Sequence, residues 1–240
     1  MTLKITSKQN EKIKEIVKLS DPKISKEKGL FKIEGFHALE MAVKADVVEE
    51  VYLIKEDKEL PKKITQVIVS EEIMQKISST KNPQGAVVVC RRLPESQKLG
   101  EKVLLLDGVS DPGNLGTILR TALAFGYNDV LLSEGSVSQY NEKVLQASQG
   151  AIFKLNIVNN FVLTKLKEEY QIITTEIKGS VELNDVKAKC KHVLVLGNEA
   201  HGVSKEISKL ADLKVRIDIK NIESLNVAIA GAIAMYKLGN

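Results

Sequence analysis

Residues 103–120 read VLLLDGVSDPGNLGTILR, and this stretch decides the fold. Residues 103–106 form an apolar run with no polar alternation, which marks a strand buried on both faces. Asp111, Pro112 and Gly113 make a turn, and Asn114 can cap the helix that follows over Leu115, Ile118 and Leu119. Two later segments have the same build: 193–202 (VLVLGNEAHG) and 222–230 (IESLNVAIA). Each joins an apolar run to a small polar loop. Loops at the C-terminal ends of parallel strands are where open α/β sheets bind ligands. Three of them can form one site.

Moving outward, short apolar or β-branched runs at 103–106, 130–132, 153–157, 172–174, 193–196 and 213–217 alternate with helical patterns at 115–125, 142–149, 162–170, 205–210 and 225–238. Such alternation predicts a mainly parallel α/β sheet covered on both faces. Before it, a helix behind Ser7, strands at 30–33, 51–54, 67–69 and 86–90, and helices at 36–44 and from Ser70 through Ile77 predict a smaller α/β unit. The polar segment RRLPESQKLGEK (91–102) separates the two. The expected domains are 1–92, a linker at 93–102, and 103–240.

The chain has 240 residues, 43% hydrophobic, enough for a sizeable core. No apolar run is long enough to span a bilayer, and the N-terminus has no apolar centre of a secretory signal. A cytoplasmic location is the default expectation. Cys90 and Cys190 lie in or beside strand-like runs and are expected as buried thiols. Residues 1–28 hold eight lysines against four carboxylates, an excess equal to the net charge of +4 for the whole chain. A basic end on a near-neutral body suits contact with phosphates, with Lys8, Lys12 and Lys14 as candidates; a solvated helix face is the plainer alternative. Aromatics make up 4% with no Trp, poor support for a platform that stacks single-stranded nucleic acid.

Arg120 lies six residues after Asn114 in an apolar helix. Six positions are about 1.7 turns, so the two do not share a face. An arginine in that setting calls for an anionic partner in the protein or a ligand. Glu199 can anchor Arg120 or a backbone amide. Gly197 and Gly202 let a ligand approach the backbone. His201 reads as an exposed loop residue, and no histidine or cysteine spacing suggests a metal. Ser224 is a candidate N-cap, and Ser224 and Asn226 are polar residues at a helix start; the alanines and Gly231 beyond them suit close packing. Neither GxGxxG after the first strand of this domain nor GxxxxGK[ST] occurs.

Together these segments resemble the SpoU (TrmH) family of RNA ribose 2′-O-methyltransferases, which use S-adenosyl-L-methionine (AdoMet). Its first motif is similar to Asn114 with Arg120, its second to Leu196-Gly197-Asn198-Glu199 with Gly202, and its third to Glu223-Ser224-Leu225-Asn226-Val227. FKIEG (31–35) and NPQG (82–85) resemble the ribosomal-protein-like substrate-binding domain of the ribosomal-RNA members. The resemblance implies a SPOUT-like sheet with a deep trefoil knot and a homodimer. It implies AdoMet held at Leu196, Gly197, Asn198, Ile217, Leu225, Asn226 and Val227. It also implies a catalytic set of Arg120, Asn114, Glu199, Ser224 and Asn226, with Glu199 holding Arg120, and RNA contacts from Lys8, Lys12, Lys14 and Arg120. The implied substrate is RNA, 23S-type ribosomal RNA first, with no membrane partner. The family proposal makes this arginine the general base; since a guanidinium is charged at every ordinary pH, a clamp on phosphate and on negative charge at the 2′-oxygen is the better role. One departure stands out. The family usually has Ile-Pro-Met or Ile-Pro-Ile, then Gly, before Ser-Leu-Asn, whereas this chain has Ile217-Asp218-Ile219-Lys220-Asn221. The alternatives weighed beside methyl transfer to ribosomal RNA are a non-catalytic RNA binder of the same fold, a transfer-RNA 2′-O-methyltransferase, and a nucleotide-dependent α/β enzyme.

Overall fold

The computed structural model describes residues 1–239, which divide into two compact units. The first unit is built from β1 (Thr2–Ile5), α1 (Glu11–Lys18), α2 (Pro22–Lys28), β2 (Leu30–Glu34), α3 (Phe36–Lys44), β3 (Val48–Leu53), β4 (Thr65–Val69), α4 (Glu71–Ile77) and β5 (Ala86–Arg91). Its five-stranded mixed sheet has the order β1-β4-β3-β5-β2. β5 runs antiparallel to both β2 and β3, while β4 runs parallel to β1 and β3. Ile13, Ile16 and Leu19 of the α1 segment bury against Tyr52, Val67 and Ile73.

Two of these elements were not anticipated. β1 is only four residues, half exposed, and its TLKI sequence merges with the lysine-rich start. α2 carries helix-start chemistry in miniature: the Asp21 carboxylate accepts from the Lys23 N–H at 2.8 Å and Pro22 opens the first turn. α1 begins behind Asn10 rather than Ser7, because the Asn10 side chain accepts from Lys12 N–H at 2.9 Å while Ser7 serves Gln9.

The second unit contains β6 (Lys102–Asp107), α5 (Pro112–Ala124) and β7 (Asp129–Leu132). After an excursion through α6 (Glu142–Ser148) it continues with β8 (Asn156–Asn159), β9 (Gln171–Thr175), β10 (Val181–Glu182), β11 (His192–Gly197), α7 (Lys205–Ser208), β12 (Leu213–Arg216) and α8 (Val227–Gly239). The seven-stranded sheet has the order β10-β12-β9-β11-β6-β7-β8, with every strand pair parallel. This is the mainly parallel α/β architecture expected. From β6 the chain builds outward through β7 and β8, then returns to the other side of β6. The order therefore reverses between β6 and β11, where ligand crevices form in open sheets. Both strands are fully buried along Val103–Leu106 and Val193–Leu196. The expected helix at 162–170 is a single 3₁₀ turn, Leu163–Leu166, whose Leu163 and Leu166 join Tyr170 in the core.

Residues 140–153 belong to the first unit, although the expected domain boundaries put them in the second. The reason is local. Phe31 packs against the rings of Tyr140 and Phe153 at 4.7 and 6.4 Å between centroids. The Lys32 ammonium, 4% exposed, pairs with Glu142 at 3.3 Å and donates to the Ile77 carbonyl at 2.8 Å. Residues 94–102 pack with the second unit, where the Gly100 N–H donates to Asp129 at 2.8 Å. Cys90 is buried as expected, but Cys190, beyond the polar turn before β11, is exposed; both are free thiols.

Among the described residues, no helix is long and apolar enough to cross a membrane.

Candidate active site

The loops that leave β6 and β11 are stitched together before any side chain is left to act on a ligand. Asn198 donates from Nδ2 to the Gly108 carbonyl at 2.8 Å, and its Oδ1 accepts from the N–H groups of Ala200 and His201 at 2.9 and 3.1 Å. The backbones of Asn198 and Gly202 bond to each other in both directions, closing a tight turn. Gly197 is required there: a Cβ on it would overlap the backbone of Gly202 and Val203. Asp107 at the end of β6 accepts from the Ser204 N–H at 2.7 Å and from Ser133 Oγ at 3.3 Å. Asp107, Ser133 and Ser204 escaped the sequence reading, although the Asp-Gly pair ending the strand was a visible turn signal.

Glu199 then gathers the first loop. Its Oε1 accepts from Asn114 Nδ2 at 3.0 Å and from the Asp111 N–H at 3.1 Å. Its Oε2 accepts from the N–H and hydroxyl of Ser110, both at 3.3 Å. Burial pushes this carboxyl up, but the bonds from Asn114 and the backbone amides outweigh it and hold it below the usual carboxylate range. Of the two anchoring roles open to Glu199, the structure selects the backbone amides. It does not hold Arg120: the four donors fill its carboxylate, and no ion pair joins the two.

Asn226 brings in the third loop. Its Nδ2 donates to Asn114 Oδ1 at 2.9 Å, while its Oδ1 caps α8 by accepting from Ala228 N–H at 2.9 Å and Ile229 N–H at 3.4 Å. The cap is thus Asn226, and Ser224 stands exposed with no hydrogen bond among the described residues. The relay Asn226–Asn114–Glu199 joins all three loops. Each asparagine keeps one amide hydrogen for a ligand. Small residues let α8 return to the sheet: a Cβ on Gly231 would come within 2.5 Å of Leu196 Cδ1.

The cap expected of Asn114 falls instead to Asp111, whose carboxylate accepts from the Asn114 N–H at 2.8 Å, so Asn114 lies in the first turn of α5. Arg120 sits six residues further on, about 9 Å up the axis. It is exposed and pairs with no acidic group among the described residues. Leu196 and Gly197 are buried, whereas Ile217, Leu225 and Val227 are half-buried. No N–H of residues 218–225 forms a backbone hydrogen bond among the described residues. A segment of open amides beside half-buried Ile217 and Leu225 fits a cofactor gripped through the main chain, as AdoMet would be. The missing Pro and Gly leave that run of amides in place.

In the first unit, the candidate phosphate-binding lysines are engaged: Lys8 with Glu72 at 2.9 Å, Lys12 with Glu50 at 2.5 Å and Lys14 with Glu11 at 2.8 Å. Lys18, Lys23 and Lys26 are exposed and lack acidic partners among the described residues. No cluster of His, Cys, Asp and Glu among the described residues could hold a metal ion.

Comparison with known proteins gives a consistent picture. The SpoU rRNA Methylase family profile matches residues 101–236, and the MRM3-like substrate binding domain profile matches residues 10–88. The 23S rRNA (guanosine(2553)-2′-O)-methyltransferase RlmP of Bacillus subtilis is 32% identical, covering 98% of each chain. An uncharacterized tRNA/rRNA methyltransferase of Synechocystis, slr1673, is 31% identical over 97% of this chain and 92% of its own. Among solved structures, an AdoMet-bound rRNA methyltransferase from Sinorhizobium meliloti superposes with a TM-score of 0.89 at 26% identity, covering 98% of this chain and 97% of the other.

Proposed function

This chain belongs to the SpoU rRNA methylase family, and on that premise we propose that it transfers a methyl group from AdoMet to a ribose 2′-hydroxyl of 23S-type ribosomal RNA. The observation that carries the reading is the hydrogen-bond relay Asn226–Asn114–Glu199, which fastens three distant loops together at the β6/β11 reversal.

When bound, AdoMet would supply an electrophilic methyl carbon, its sulfur leaving as the neutral thioether while the 2′-hydroxyl proton passes to solvent. The loops at Leu196 and Gly197, at Ile217 and at 224–227 would hold it through backbone groups. Arg120, charged and unpaired, clamps a phosphate of the RNA and stabilises negative charge growing on the 2′-oxygen. Asn114 and Asn226 use their remaining amide hydrogens to orient the ribose and the methionine end of the cofactor. Glu199 fixes Asn114 and the start of α5. With its carboxylate filled by four donors, it is a positioning group rather than the base. Ser224, an exposed hydroxyl on the third loop, is a further contact for the ligand. The gain from such an arrangement is alignment of oxygen, carbon and sulfur without reorganisation.

The first unit binds the RNA. Lys8, Lys12 and Lys14 contribute by exchanging weak, solvent-screened surface ion pairs for phosphates. The protein acts as a homodimer. The support is a stripe on α8: Ile229, Ile233 and Tyr236 are exposed at helical spacing, while Ala228, Gly231, Ala234 and Met235 of the same helix are buried. The family's trefoil knot is part of the proposal, supported by a C-terminal helix that packs back against α5 and β11. A cytoplasmic location is part of the proposal, supported by the likeness to a bacterial rRNA methyltransferase.

Mapping 2′-O-methyl groups in total RNA from cells with and without the gene tests the function. One 23S position should lose its methyl group, and the guanosine named for the Bacillus relative is the first to inspect. Loss in a transfer RNA instead would reassign the substrate, and no loss anywhere would favour a non-catalytic binder.

A further inference from the structure

Phe36 is an exception among the five phenylalanines of the chain: it is the first residue of α3 and 52% exposed. Ile54, just past the end of β3, is 41% exposed. Topology places both at one end of the first unit's sheet. β2 and β3 finish there and β5 starts there, with Glu34 opposite Val87 and Leu53 opposite Ala86. Gly85 lies between them: a Cβ on it would stand 3.8 Å from both Phe36 Cε2 and Ile54 Cδ1. A glycine at that point leaves the apolar surface of the ring and the isoleucine uncovered.

The neighbouring loop is held in place. The Glu34 carboxylate accepts from Ser78 Oγ, from the Ser79 N–H and, at 3.0 Å, from Thr80 Oγ1. That loop carries Lys81, and Lys55 follows Ile54 directly. Both lysines are exposed and, unlike Lys8, Lys12 and Lys14, have no acidic partner among the described residues. A bare aromatic face on a braced sheet end, flanked by uncompensated cations, matches a nucleotide: an apolar planar base and an anionic phosphate. A hydrophobic protein partner would leave the two lysines unanswered.

We propose that Phe36, with Ile54 and Gly85 beside it, seats an unpaired base of the RNA, and that Lys55 and Lys81 take the adjoining phosphates. This rests on the methyltransferase reading for the identity of the RNA and adds how the first unit selects it. Stacking on an aromatic side chain is sequence-tolerant but requires an unstacked base, so the site favours loops and bulges over duplex.

The test is binding of the full-length protein to a short oligouridylate and to a fully paired RNA duplex of equal length, for wild type, Phe36→Ala, Phe36→Leu and Phe36→Trp. Wild type should prefer the single strand. Phe36→Ala should weaken that binding roughly five- to a hundredfold and leave duplex binding unchanged. Phe36→Trp should retain it, and Phe36→Leu should behave like Phe36→Ala. Absence of oligouridylate binding by wild type, a Phe36→Ala effect under twofold, or a leucine as good as the phenylalanine would overturn the proposal. Methyl transfer to 23S ribosomal RNA, measured alongside, separates the two failures. A neutral Phe36→Ala with an active wild type removes the base seat alone, whereas an inactive wild type removes the methyltransferase reading.

Discussion

The loops at the β6/β11 reversal and the lysine-rich surface of the first unit solve opposite problems. In the loops, Asn114, Glu199, Asn198 and Asn226 spend most of their hydrogen-bonding capacity on one another and on backbone amides. Little remains to rearrange when a ligand arrives, which is what alignment of a reacting oxygen and a methyl carbon demands. On the basic surface, long flexible lysines hold single carboxylates in water. Such pairs are cheap to exchange for phosphates. Rigidity therefore marks where chemistry is expected, and exchangeable charge marks where a large polyanion is gripped. Arg120 combines both roles, being carried on a helix buried along Leu115, Ile118 and Leu119 yet free at its tip.

The sharpest way to break this contrast is Arg120→Ala. Methyl transfer should fall by at least a hundredfold while AdoMet affinity by calorimetry stays within about twofold. Equal turnover would remove the guanidinium from the chemistry.

Glu199→Gln comes next. An amide nitrogen would then face donors that now meet a carboxylate oxygen, leaving donors without an acceptor at about 1–3 kcal/mol. Activity should drop roughly ten- to a hundredfold, with AdoMet affinity falling too, since the damage is to loop geometry. The same carboxyl gives a pH signature. It is held below its ordinary range, so its contribution is present above the unfolded glutamate value and is lost as pH falls through the lower folded value. Site integrity should therefore persist through mildly acidic pH and fail below the usual carboxylate range, a step that Glu199→Gln lacks.

Glu142→Ala probes the first unit's interior. It leaves the Lys32 ammonium, 4% exposed, with only the Ile77 carbonyl. Because Glu142 is partly solvated, the cost should be about 1–2 kcal/mol, read as a lower Tm, rather than the larger penalty of a fully buried pair. Replacing Lys8, Lys12 and Lys14 with Gln should have the mildest effect. The slope of log affinity against log salt should flatten by up to about 2. An unchanged slope, with flattening instead on replacing Lys18, Lys23 and Lys26, would move the phosphate contacts to α2 and the end of α1.

Much of this was written locally in the chain. Apolar runs followed by Asp-Pro-Gly-Asn or Gly-Asn-Glu disclosed β6, β11 and the loops after them, because a buried strand and a tight turn each leave their own residue pattern. What was not legible depends on partners far away in sequence. Residues 140–153 join the first unit because Phe31 needs Tyr140 and Phe153, and no local pattern records a contact across more than a hundred positions. Glu199 looked like a partner for Arg120 because opposite charges pair on paper; in the fold, Ser110, Asp111 and Asn114 reach it first. Ser224 was the cap expected from residue type, and only the path of the loop gives that role to Asn226.

The central claim is most directly tested by incubating the purified protein with unmodified 23S ribosomal RNA and AdoMet labelled in its methyl group, then locating the label. The account predicts label on the ribose 2′-oxygen of a single nucleotide, absent with Arg120→Ala. Label on a base, or no label from a protein that binds both AdoMet and the RNA, would contradict it.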